Sequence, residues 1–437
     1  MGMDILIENA VVLTMDDSKP VIKGAFVGID GGKIAHLDTA PPRGYPEKSI
    51  DGQGMVVMPG LVNTHSHVAM SLLRGYADDF RLHEWLHQHV FPVEAKFDAR
   101  CVKAGALLGM AEMIKSGTIS ITDMYFHIPA VAEAAFEAGI YANISNGATC
   151  FNRAYYDFAT DGVTKEMEVM LDVWHGCDDG RIMLDAAIHA EYTSFERLWR
   201  ANASFARKNG LNMHVHISET AEENHECIRR YGRSPVYVLS EAGVFETPTT
   251  AAHCVHVDDR DMDILASSGV TVAHNPISNL KLACGIAPVK DMLSKGVNVS
   301  IGTDSVCSNN SHDMFQSLKA AALLQKGSSL DPTAVPAYEA LKMATVNGAR
   351  AQGRQGHIGK IALGMDASLI MVDARRPGLM PMHNPVSLMA YSASGGDVYM
   401  TMVKGKILYI DGKLTTIDLQ HVAQELGEYV MPKVFGA

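Results

Sequence analysis

Pro59-Gly60-Leu61-Val62-Asn63-Thr64-His65-Ser66-His67 is the stretch that decides how this chain is read. An apolar run, Met55 to Met58, leads into a Pro-Gly break, and two histidines follow, two residues apart. At a strand end, residues i and i+2 point to the same side. Two imidazoles on one side of a strand's mouth make a natural pair of metal ligands. Taken alone, the pair reads equally well as two polar loop histidines. The weight therefore falls on what the later strand ends carry.

Outward from this stretch, residues 57–360 alternate strand-like apolar runs with helical patterns. The strand candidates are Val56–Val62, Ile119–Met124, Tyr141–Ser145, Ile182–Ile188, Leu211–Ile217, Thr249–Cys254, Val270–His274 and Val297–Gly302. Several begin just after a glycine placed to end a helix: Gly139, Gly210, Gly269 and Gly296. This succession of βα units predicts an α/β fold, a distorted (β/α)8 TIM barrel. The two ends have a different texture. Residues 4–14 and 25–37 are rich in β-branched residues, and Asp30-Gly31-Gly32-Lys33 marks a hairpin turn. Residues 366–372 and 399–410 match them at the far end. Neither end can bury a face alone, so residues 1–56 and 361–437 are expected to form one small β-sandwich domain. The barrel is inserted between them, and a helix from about Asp418 to Val430 closes the chain.

In such barrels, chemistry sits at the C-terminal ends of the strands. Here those ends carry His65 and His67 on the first strand, His189 on the fourth, and His216 with Glu219 on the fifth. His253 follows the sixth, His274 the seventh and Asp304 the eighth. With only 19 histidines in 437 residues, chance does not readily place them at five strand exits. His65, His67, His216 and Asp304 form a candidate site for one divalent metal. Their nitrogen and oxygen donors suit Zn, with Fe(II) as the alternative. A metal brings the pKa of water from 15.7 toward about 7. Glu219, three residues beyond His216, is placed to take a proton from that water and deliver it to the leaving side. His214 faces the same side as His216 but lies deeper, which fits a supporting role. His253 is placed to hydrogen-bond the developing oxyanion. His83, His127, His256 and His274 have weaker claims. No lysine lies between Arg181 and Tyr192 to serve, carboxylated, as a bridge between two metals.

Composition excludes several classes. Hydrophobic residues make up 47% and charged residues 20%, as in a globular protein. The net charge of −12 and the lack of a basic stripe argue against nucleic acid and against an anionic membrane surface. No apolar run approaches the roughly 18–20 residues of a transmembrane helix. No secretory signal opens the chain, and the seven cysteines are scattered without a Cys-x-x-Cys pair. That usage predicts reduced thiols and a cytoplasmic protein.

The chain resembles the amidohydrolase superfamily, and within it the branch of 5′-methylthioadenosine/S-adenosylhomocysteine deaminases, to which the triazine chlorohydrolases are related. The opening stretch carries the likeness. So do Leu72 to Asp79, Glu84-Trp85-Leu86, Glu94-Ala95-Lys96, and His214-Val215-His216-Ile217-Ser218-Glu219-Thr220. Ala252 to His256, His274 to Ala283 and Gly302-Thr303-Asp304 complete it. The resemblance implies metal at His65, His67, His216 and Asp304, catalysis by Glu219, His253 and Asp304, and substrate contacts from Trp85, Glu94, Arg153, His189 and Glu219. Three departures stand out. Bulkier Ser305-Val306-Cys307 follows the metal aspartate, Ala190-Glu191-Tyr192 replaces the usual Ala-Pro-Tyr, and Arg153 is the one arginine between 140 and 180.

The implied activity is hydrolytic deamination of an adenosine-type nucleoside: 5′-methylthioadenosine, S-adenosylhomocysteine, adenosine or 5′-deoxyadenosine. Hydrolysis or deamination of another heterocycle (a triazine, guanine or a pterin) would use the same hydroxide. A non-enzymatic scaffold is disfavoured by the intact ligand set. The expected partner is a small molecule, and self-association into a homo-oligomer follows by analogy with other large barrels.

Overall fold

The computed structural model describes residues 3–436, apart from the His83 side chain. The Pro59-Gly60 break does more than the sequence reading assigned to it. The expected strand Val56–Val62 is two strands in two different sheets. Met55–Pro59 runs antiparallel to Leu369–Asp373 and parallel to Met3–Leu13. Leu61–Ser66 runs parallel to Thr118–Met124 as the first barrel strand. Gly60 makes the crossing between sheets against the wall of the second strand. A Cβ there would stand 2.3 Å from Ile119 Cγ2, so only glycine fits.

The N- and C-terminal segments share a nine-stranded sheet. Val21–Asp30 and Lys33–Asp38 form its predicted hairpin, and Val398–Val403 continues it from Leu369–Asp373. It has an apolar core of its own, including the fully buried Ile7, Val12, Val27, Val57 and Met371. Two short helical pieces, Leu419–Glu425 and Leu426–Phe435, end the chain. They are tied to helix Ala99–Lys115 and its cap by an Arg100–Glu425 ion pair and by the Tyr429 hydroxyl on Asp98, at 2.7 and 2.5 Å.

The barrel strands pair in parallel, in runs of four and five segments. The count exceeds eight because the fourth strand is bent. Ile182–Leu184 pairs with Tyr141–Ser145, and Ala186–Ala190 pairs with Met213–Ile217. Asp185 is the hinge between them. Its amide donates to the Ile144 carbonyl at 3.0 Å, and its carboxylate accepts from Asn143 at 2.9 Å. The remaining strands are Thr249–His253, Thr271–His274 and Asn298–Ile301. Closure is made by Thr64 Oγ1 on Ser300 Oγ at 2.8 Å, and by the Asp304 amide on the His65 carbonyl at 2.9 Å. Strands enclosed on both faces read as apolar runs, and every residue of Leu61–Ser66, Thr118–Met124 and Met213–Ile217 is buried.

Over the C-terminal mouth lies a broken helix, Leu82–Glu84, Trp85–Val90 and Phe91–Glu94. Its middle turn is π-helical, and Pro92 in the last turn has no amide hydrogen to give. This segment carries Trp85 and Glu94.

Candidate active site

The strand ends converge on one cluster. His65, His67 and His216 each offer one ring nitrogen within 4.8 Å of the others, and so do His65, His253 and Asp304 as a carboxylate-containing set. His65 is fully buried, and His216 and Asp304 are nearly so. The outward nitrogens are already engaged. His67 Nδ1 donates to the Met124 carbonyl and His216 Nδ1 to the His189 carbonyl, both at 2.6 Å. Their Nε2 atoms therefore carry lone pairs, yet these stand 3.3 Å apart. Facing lone pairs need a cation between them. His65 Nε2 adds a third buried nitrogen without a hydrogen-bond partner, 3.5 Å from Asp304 Oδ1. This donor set fits a divalent ion of the zinc type.

The electrostatics agree. Burial drives His65 down to about 3 and His216 well below the ordinary imidazole range, so both are the neutral donors that ligation requires. Burial also opposes charge on His67, but the hydrogen bond and charge of Asp304 carry it up to about 9. A proton there answers the same demand that a metal would. Burial raises Glu219 above the usual carboxylate range. Glu219 Oε1 accepts from the Cys284 thiol at 3.5 Å and lies 3.9 Å from His253 Nδ1.

Several side chains hold the cluster in place, among them His214 in the supporting position expected of it. His214 Nε2 shares a hydrogen bond with His65 Nδ1 at 2.9 Å, which places it behind the cluster. Ser278 Oγ donates to Asp304 Oδ2 at 2.6 Å, and Asn279 Oδ1 accepts from His253 Nδ1 at 2.8 Å. The Glu223 carboxylate accepts from the amides of Ser218 and Glu219 at 2.8 and 2.7 Å. Ser218, His253 and Asp304 all have positive φ (52°, 74° and 62°), backbone that side-chain-bearing residues seldom adopt. Gly302 completes the floor. A Cβ there would meet Asn275 Oδ1 at 2.3 Å and His65 Cβ at 2.7 Å.

A cavity of about 670 Å³ opens above the cluster. Trp85, Glu94, His189, Glu219 and His253 line it with His67, His216 and Asp304. Trp85 is fixed by its Nε1 on the Ala77 carbonyl at 3.0 Å. Glu94 Oε1 accepts from the Tyr125 hydroxyl at 2.6 Å, and burial pushes its carboxyl up to about 7. His189 is held down at about 4 chiefly by burial, and its ring is tilted against that of His216 with the centres 4.8 Å apart. Arg153 is a correction. It is exposed, does not line the cavity, and lays its guanidinium 5.7 Å from the Phe195 ring centre. The cause is local: Arg197 Nη2 binds the carbonyls of Arg153 and Tyr156 at 2.9 and 2.6 Å and pins the loop outward.

The lesser candidates separate. His127 lines the cavity at its exposed rim, His256 Nε2 donates to the Cys284 carbonyl at 2.7 Å, and His274 is buried among core groups. The His83 side chain lies outside the described residues. The supporting groups were within reach of sequence only in part. Ser278 and Asn279 sit in the quoted His274-to-Ala283 stretch, whereas nothing local marks Tyr125 or Glu223.

The amidohydrolase family model matches residues 56–408. A 5′-deoxyadenosine deaminase of Methanosarcina mazei is 44% identical over 422 residues, spanning 97% of this chain and 96% of that one. A 5-methylthioadenosine/S-adenosylhomocysteine deaminase of Acetivibrio thermocellus is 42% identical over 423 residues, spanning 96% and 97%. Among solved structures, an adenosine deaminase from Xanthomonas campestris with bound zinc superposes with a TM-score of 0.92 at 30% identity, covering 100% of this chain and 99% of that one. Candidate metal-holding side chains at the strand ends of the barrel accompany these matches along nearly the whole sequence, and the matches mean that the chain belongs to the amidohydrolase family.

Proposed function

We propose that this protein is a metal-dependent hydrolytic deaminase of adenosine-type nucleosides, converting the adenine ring to hypoxanthine with release of ammonia. The observation that carries the reading is the convergence of the His65, His67 and His216 ring nitrogens beside Asp304, on the floor of the cavity, with His65 Nε2 left without a hydrogen-bond partner and buried Glu219 next to them. Relatives named for 5′-deoxyadenosine and for methylthioadenosine and S-adenosylhomocysteine support the substrate class.

His65, His67, His216 and Asp304 are the groups that would hold the divalent ion, and the donor set favours zinc. When bound, such an ion supplies Lewis acidity and makes water acidic enough to deprotonate near neutral pH. Glu219 takes the proton from water. Its raised pKa suits this, because it can then release the proton to the ring nitrogen next to the reacting carbon. The hydroxide adds to the amino-bearing carbon, and the ring nitrogen gains the proton. His253, steadied by Asn279, hydrogen-bonds the oxygen that develops negative charge. Glu219 then takes the proton from the added oxygen and passes it to the amino group, so that collapse expels ammonia and leaves the carbonyl of the inosine-type product. Glu94 accepts two hydrogen bonds from the ribose diol, Trp85 packs on the nucleoside, and His189 closes the wall behind it.

The test is Glu219→Gln. The variant should keep its metal and its nucleoside affinity and lose roughly 10³-fold or more in kcat, read as the ultraviolet change of adenine to hypoxanthine with ammonia measured in parallel. Near-normal turnover would remove Glu219 from the proton path.

A further inference from the structure

We propose that this cavity selects nucleosides whose 5′ substituent is uncharged and apolar, and that Asn146 and Glu166 act as specificity residues against a 5′ carboxylate such as that of a homocysteinyl tail. This deepens the deaminase reading and rests on it. With the adenine over the histidines and the ribose at Glu94, the wall left for the 5′ substituent includes Phe126, Asn146, Thr149, Phe151 and Val163. Phe126, Phe151 and Val163 are apolar, and Thr149 adds only a neutral hydroxyl. Asn146 Nδ2 spends one of its two hydrogens on Glu166 Oε2, at 2.5 Å. A ligand carboxylate arriving there meets neutral donors at best, and the Glu166 carboxylate stands directly behind Asn146.

No cation compensates elsewhere. Among the described residues, neither lysine nor arginine lines the cavity, while Glu94, Glu219 and Asp304 do. Arg153, the arginine nearest in sequence, is turned onto Phe195. Arg197 is committed to two backbone carbonyls. His127 sits at the exposed rim. A carboxylate transferred from water into this pocket would lose its hydration without gaining a Lys or Arg partner, whereas a methyl or methylthio group gains by leaving water. The tail's ammonium group does not remove the penalty, because the carboxylate remains unpaired.

The experiment compares kcat/KM of the zinc-loaded full-length enzyme on 5′-deoxyadenosine, methylthioadenosine and S-adenosylhomocysteine, which share one reacting ring. S-Adenosylhomocysteine should fall at least about 100-fold below methylthioadenosine, the size of discrimination that an unpaired buried group gives. Asn146→Arg combined with Glu166→Gln should narrow that ratio about tenfold or more by supplying a forked donor. Glu166→Gln alone, which disturbs less, should narrow it by a smaller factor and keeps the comparison usable if the double variant does not fold. S-Adenosylhomocysteine used within about threefold of methylthioadenosine by the unaltered enzyme overturns the inference while leaving the deaminase reading intact. A ratio unmoved in folded, active variants removes Asn146 and Glu166 from the role. Absence of turnover on every nucleoside overturns the deaminase reading, and this inference falls with it.

Discussion

Tyr125→Phe removes one hydroxyl and tests the ribose end of the site. In the structure that hydroxyl donates to Glu94 Oε1 at 2.6 Å. Burial pushes Glu94 from the usual 4.5 up to about 7, and the Tyr125 bond and the His67 charge act the other way. A hydrogen bond to a charged group contributes ~1.5–3 kcal/mol, which is ~1–2 pKa units. Its loss should carry Glu94 to roughly 8–9. At pH 7 the ionised fraction would drop from about half to roughly 1–10%, and KM for a ribonucleoside should rise ~5–50-fold. kcat should change little, because the metal cluster is untouched. Initial rates on 5′-deoxyadenosine between pH 6 and 9.5 provide the assay. KM of the parent enzyme should fall as pH climbs through about 7. That of the variant should fall about one to two units later, and a 2′,3′-dideoxy analogue should show neither step. Stability carries the same signature. A carboxyl whose folded-state pKa is raised holds its proton more tightly than in the unfolded chain. Its contribution is full below about 4.5 and is lost as pH rises through about 7. The variant should therefore show a larger deficit in urea unfolding at pH 9 than at pH 5. Superimposable KM profiles for variant and parent would refute the reasoning, because Glu94 would then not act as a carboxylate on the diol.

Other parts of the site answer to simpler changes. Glu223→Ala leaves the amides of Ser218 and Glu219 unpaired, at about 1–3 kcal/mol each. The urea midpoint should fall and kcat should drop ~10²-fold as Glu219 loses its position; an unchanged kcat would free Glu219 from this support. His214→Ala removes the partner of His65 Nδ1 and should weaken metal affinity ~10–100-fold in competition with a chelating dye, with little effect once metal is saturating. Stripping the metal with a chelator should abolish turnover and lower the unfolding temperature. At 100 times the dissociation constant, zinc should restore ~2.7 kcal/mol of stability, and a transition indifferent to zinc would count against the assigned ligands.

Sequence alone was enough for the barrel and for gathering the candidate metal-holding side chains at its strand ends. The reason is periodicity. Parallel strands buried on both faces appear as apolar runs, and the alternation of side chains puts His65 with His67 at one mouth. Few residue types ligate metals, so histidines at strand exits stand out. The same local logic failed at Val56–Val62. Nothing in an apolar run tells which of two sheets will take each half, and that depended on pairing with Leu369–Asp373, more than 300 positions away.

The substrate end was decided only by the tertiary structure. Arg153 was an eligible carboxylate partner by position, and a loop pinned by Arg197 turned it outward. Local pattern gives Glu94 no partner, and the fold sets it against the Tyr125 hydroxyl. Glu223 and Glu166 gain meaning from the amides they face. Arg153 sits on a loop and Glu94, Glu166 and Glu223 on helices, and the placement of all four is set by distant packing, so no local spacing encodes them. Strand geometry wrote the candidate metal ligands of this protein into its sequence; the charge and shape of the cavity above them exist only once the segments over the barrel mouth are folded into place.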